Sequence, residues 1–206
     1  KIAKKFNSAV LVTIEVDTHK DAYMLFESLN NRGIPLSAID LIKNILIRES
    51  EVDKAADETY EKWVQILKNL GENYSVEERF FRQYYNAYRE ELNELYKSTP
   101  GKKYELGYLA TRTTLLDIYE RMIKDQGYKK FVDSILKHSS TYSIIINNTN
   151  DNYVFSEELK DLERIQGAPS YLLLLYLLDN QKHFELTDNY IKETIRYLTK
   201  FFVRRN

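Results

Sequence analysis

The chain has 206 residues, 43% of them hydrophobic and 30% charged, enough for one large domain or two small ones around a substantial core. Lys and Arg (30) nearly cancel Asp and Glu (31), so at a net charge of −1 no global field gathers nucleic acid and any such contact needs a local patch. Zero cysteine excludes disulfides and thiolate metal sites, and His19, His138 and His183 are scattered with no shared helical face for a zinc site or a histidine-based triad.

Ser8 to Val16 (SAVLVTIEV) places Val10, Val12, Ile14 and Val16 on one face with a period of two, which predicts a β-strand. Asp17 or Thr18 then caps a helix running to about residue 31. Ser37-Ala-Ile-Asp40 is a capping-box-like start with Asp in place of Glu, and Leu41, Ile42, Ile45 and Leu46 give the next helix its apolar face. A third helix is expected over Val52 to Leu70, with Tyr60, Trp63, Val64 and Leu67 on one side and Gly71 as its stop. Ser75-Val-Glu-Glu78 reads as a capping box opening a helix to about Tyr96. Further helices are expected at about 104–125, 128–146, 156–166, 169–180 and 187–205, with loops at 98–103 and 147–152.

The expectation is therefore an all-α fold, a multi-helical array of roughly nine helices, with one orphan N-terminal strand. A single strand leaves backbone N–H and C=O groups unpaired. We therefore expect residues 1–36 to be the end of an α/β domain whose sheet lies upstream of Lys1, and residues 37–206 to form a helical domain. The terminal Phe201-Phe-Val-Arg-Arg-Asn206 stops inside a helix, in keeping with a chain cut from something longer. The longest apolar run, Tyr171 to Leu178, falls short of the roughly 20 residues that span a bilayer. No signal peptide opens the chain, so a cytoplasmic location without membrane partners is the default.

Three stretches are candidates for function. In Phe26-Glu-Ser-Leu-Asn30-Asn-Arg32-Gly33-Ile-Pro35, the Asn, Gly and Pro suit a helix–turn–helix linker. That reading leaves Arg32 and Lys43, which flank a helix N-terminus whose free N–H groups favour anions. On the last helix Lys192, Arg196, Lys200 and Arg204 recur every four residues, either as a phosphate-tracking face or as a solvated one. Phe80, Phe81, Tyr84, Tyr85 and Tyr88 lie among Arg79, Arg82 and Arg89; stacking on bases is possible there, but the spacing is that of a helix packing its aromatic stripe into a core.

Phe26-x-x-x-Asn30-x-x-Gly33-x-x-Leu36, followed by Ser37, Asp40-Leu41 and Lys43-Asn44, resembles the last signature of the N-terminal domain of GmrSD-type restriction endonucleases. These are modification-dependent (type IV) bacterial phage-defence enzymes. The resemblance implies a ParB/sulfiredoxin-like nucleotidase fold followed by a helical region, with a His-Asn-His nuclease domain in related proteins. The family's Pro-x-Tyr-Gln-Arg and Asp-Gly-Gln-Gln-Arg segments are absent, as is any His-Asn-His constellation. By resemblance, this chain carries no catalytic residue or cofactor of its own. It supplies Asn30, Arg32, Gly33, Asp40 and Lys43 to a nucleotide site of an intact NTP-dependent DNA endonuclease or nucleotidase subunit that uses a nucleoside triphosphate and a divalent metal. Its partners are then an upstream nucleotidase-like domain and a downstream nuclease, in cis or in trans, modified DNA, and a possible second copy. A stand-alone helical nucleic-acid-binding protein acting through the basic terminal helix is the alternative.

Overall fold

The chain divides between Leu36 and Ser37 into two units. A computed structural model describes residues 36–97, 109–147 and 153–205, and thus almost only the second unit. Every regular element among the described residues is helical. In chain order these are α1 (Ala38–Glu51), α2 (Ala56–Asn69), α3 (Tyr74–Lys97), α4 (Leu115–Gln126), α5 (Tyr128–Ile146), α6 (Ser156–Arg164), a 3-10 turn (Ala168–Ser170), α7 (Tyr171–Asp179) and α8 (Asp188–Arg205). The expected strand at 8–16 and the helix before residue 31 lie outside the described residues. None of the described helices is long and apolar enough to cross a membrane.

The Ser37 signal works as expected. Its Oγ accepts from the Asp40 N–H at 3.1 Å, while the Asp40 carboxylate accepts from the Ser37 N–H at 3.3 Å and hydroxyl at 2.7 Å. Three other boundaries differ from expectation. Val52 is not in α2: it is 83% exposed, and Glu51 to Ala55 form a turn with Lys54 at φ 57°. Tyr60, expected on the packed side of α2, is 48% exposed, because Trp63 and Ile66 set the buried face. The cap of α3 is Asn73 rather than Ser75. The Asn73 side-chain oxygen accepts from the Ser75 N–H at 3.0 Å and from its hydroxyl at 2.7 Å, so Ser75 already sits in the first turn. Finally, α4 starts at Leu115 and not near 104. Residues 109–114 are held non-helical: the Asn86 side chain accepts from the Ala110 N–H at 2.8 Å and donates to the Ala110 carbonyl at 3.2 Å.

Helix α3 runs through the middle of the core. Phe80, Phe81, Tyr84, Tyr85, Tyr88 and Leu92 are all buried, so the aromatic stripe packs inward and the arginines between do not make it a base-stacking face. Phe81 stacks on Trp63 of α2 at 5.7 Å and meets Tyr119 of α4 edge-on at 5.1 Å, while Phe80 meets Tyr142 of α5 at 5.2 Å. Buried phenols find partners. Tyr119 donates to the Phe81 carbonyl at 2.7 Å, and Tyr142 donates to Gln83, which itself donates to the Ala168 carbonyl, both at 2.7 Å. Around this axis α1 packs on α2 and α4, α2 on α5, and α7 on α3 and α5, while α6 and α8 pair with each other.

Candidate functional site

Asn30, Arg32 and Gly33 lie outside the described residues, but the second half of the signature does not. Asp40 is committed to the capping box, and Lys43 pairs with it at 3.8 Å. The Asp40 carboxylate also reaches Glu77 of α3 electrostatically: burial first, then the Asp40 and Glu72 charges, push the Glu77 carboxyl above its ordinary pKa. One turn past Asp40, Asn44 is 5% exposed, and among the described residues neither its amide nitrogen nor its oxygen has a hydrogen-bond partner. A buried unpaired amide costs about 1–3 kcal/mol, a cost that an apolar residue of similar size would not carry. Among the described residues no group of three or more His, Asp or Glu is arranged to hold a metal ion.

The basic stripe of α8 splits into two halves. Lys192 and Arg196 face α6, where the Glu158 carboxylate accepts from Arg196 at 2.9 Å and sits 3.4 Å from the Lys192 amine. Arg196 also reaches Glu193 at 2.7 Å. Glu158 is buried, so the proximal cations neutralise an internal carboxylate and are not free for phosphate. Lys200 and Arg204 are exposed and form no ion pair among the described residues. They share a depression with Tyr197 and Phe201, which are 73% and 49% exposed.

A third constellation went unseen in the sequence. Asp179, the last residue of the apolar helix α7, has a side chain only 4% exposed. It accepts at 2.5 Å from each of three donors: Tyr88 of α3, and His138 Nδ1 and Thr141 of α5. Burial pushes the Asp179 carboxyl up, but the hydrogen bonds from His138, Thr141 and Tyr88 outweigh it and leave its pKa below the ordinary value. Burial first, and then the Asp179 carboxylate, drive the Tyr88 phenol far upward. The imidazole lies between the rings of Tyr84 and Tyr88, at centroid distances of 4.8 and 4.7 Å, and Tyr84 shares a 3.0 Å hydrogen bond with Ser134. The cluster borders a cleft of about 260 Å³ that Glu91, Lys137 and Asn180 also line. The contact of Nδ1 with the carboxylate fixes the ring's orientation and leaves Nε2 as its second polar atom. The arrangement ties three helices together through one buried charge. Its only sequence signal is an acid closing an otherwise apolar run, YLLLLYLLD, which does not identify its partners 38 to 91 positions away.

Neither protein-family models, curated proteins nor solved structures give a match to this chain.

Proposed function

We propose that this chain is the helical scaffold and interaction segment of a GmrSD-like phage-defence restriction protein. In this reading it contributes one loop to a nucleotide site, couples that site to a DNA-cleaving module, and performs no catalysis by itself. The observation that carries the reading is Asn44. It closes the phrase that resembles the family signature, it is buried, and its amide has no partner among the described residues. An apolar residue of similar size would serve packing alone at lower cost. Asn30 and Gly33 would contact nucleotide through an amide and a closely approaching backbone, and Arg32 would pair with phosphate. Asp40 and Lys43 fix the start of α1, the helix that follows the loop in sequence. The intact protein would use a nucleoside triphosphate with a divalent metal and work in the bacterial cytoplasm on modified DNA. The test is nucleotide turnover by the full-length protein carrying Arg32→Ala. Loss of turnover at unchanged thermal stability supports the reading, and unchanged kinetics would sink it.

A second reading, a stand-alone helical nucleic-acid-binding protein, is favoured by a different observation: Lys200 and Arg204 stand exposed beside two exposed aromatic rings.

A further inference from the structure

We infer that the distal half of α8 is a contact surface for single-stranded nucleic acid, with Tyr197 and Phe201 stacking on bases and Lys200 and Arg204 meeting the phosphates. The inference rests on the second reading above and narrows it.

Tyr197, Lys200, Phe201 and Arg204 follow the i, i+3, i+4, i+7 spacing that puts four side chains on one helix face. The two rings are exposed, while the aromatic residues of the core are buried. Phe201 meets Phe202 edge-on at 5.5 Å, and Phe202 packs against the core. Charge selects the partner. From Tyr197 to Arg205 the sequence YLTKFFVRR holds three cations and no acid, within a chain of net charge −1. The proximal cations Lys192 and Arg196 are already spent on Glu158, so the positive field is confined to the end that carries the rings.

The geometry selects single strands over duplex. In a duplex both faces of an internal base are covered by its neighbours, whereas a single strand offers free π-faces to an aromatic side chain. Two rings one helical turn apart are separated by about 6 Å along the axis, wider than the ~3.4 Å step between stacked bases, so they suit bases splayed from one another.

The test is fluorescence anisotropy of the full chain with a labelled oligothymidylate and with a mixed-sequence duplex of equal length, from low to physiological salt. The expected result is preferential binding of the single strand, weakened about ten-fold by each of Tyr197→Ala and Phe201→Ala and retained by Tyr197→Trp. Two phosphate contacts predict a slope of log K against log salt of about −1.4, flattened in Lys200→Gln/Arg204→Gln and unchanged in Lys192→Gln. All of the ring and distal-cation positions are exposed, and circular dichroism of each variant checks that the helix persists. Equal or tighter duplex binding that ignores the ring substitutions would overturn the stacking inference while leaving nucleic-acid binding intact. No binding of either probe at low salt overturns both. Self-association abolished by Tyr197→Ala/Phe201→Ala, without nucleic-acid binding, would assign the face to a second copy instead.

Discussion

Asp179 shows how one side chain sets local energetics. Its carboxylate serves Tyr88, His138 and Thr141 at once, so Asp179→Ala leaves three donors facing an empty acceptor position. We expect a loss of about 3 kcal/mol in urea unfolding at neutral pH. The pH dependence has a definite sign. Asp179 titrates lower in the folded protein than the ~3.9 of an unfolded chain. Its contribution is therefore fully present above that unfolded value and is lost as pH falls through the lower folded one. Stability of the wild type should drop more steeply below about pH 4 than that of Asp179→Asn, and parallel acid profiles would contradict the assignment. Asn44 predicts the opposite trade. Leucine has the same branching without polar atoms, so Asn44→Leu should raise unfolding stability by about 1 kcal/mol. On the proposed function the same change lowers nucleotide turnover in the full-length protein. Asn44 belongs to the recognisable phrase, but its burial, like the partners of Asp179, is not legible in the sequence. The donors to Asp179 come from two other helices, and an unpaired Asn looks like any surface Asn until its burial is known.

Helix identity was legible at the level of elements because a 3.6-residue apolar period is a strong local pattern. Tyr128–Ile146 has the expected bounds, between Gly127 at φ 81° and Asn147. Gly71, expected as the stop of α2, does end it: at φ 77°, its N–H bonds to Lys68 and the next N–H bonds back to Leu67. Other ends were harder because the same closure is made without glycine at the left-handed position. Lys54, Gln166 and Glu185 hold φ values of 57°, 59° and 52°, each followed by an N–H reaching the carbonyl five residues back. That is why α2 was expected to begin at Val52, inside the turn. Gln166→Gly should accordingly stabilise the protein by up to about 1 kcal/mol in thermal unfolding, since glycine accepts that φ without strain. The next residue behaves differently. A Cβ on Gly167 would lie 2.3 Å from Leu162 Cδ1 and 2.9 Å from the Leu162 carbonyl oxygen, so Gly167→Ala should cost about 1–3 kcal/mol. The basic stripe teaches the same lesson about reach. Its periodicity was plain, but only the packing of α8 on α6 shows that Glu158 absorbs the proximal half.

For the whole molecule, the all-helical character of the described residues follows from composition and period, while the pairing of helices does not. Which helix meets which depends on contacts such as Trp63 on Phe81 and Phe80 on Tyr142, and on polar ties such as Asn69 to Ser139 at 3.0 Å across 70 residues. No local pattern encodes these. The central claim, that the signature from Phe26 to Asn44 serves nucleotide as well as folding, is tested most directly by one measurement. The full-length protein and its Arg32→Ala and Asn44→Leu variants would be assayed for hydrolysis of the common ribonucleoside triphosphates with Mg²⁺, alongside thermal unfolding. The account predicts impaired turnover in both variants, with unfolding unchanged in Arg32→Ala and shifted upward in Asn44→Leu. Turnover equal to wild type in both would contradict it and leave the signature as a turn and a helix start.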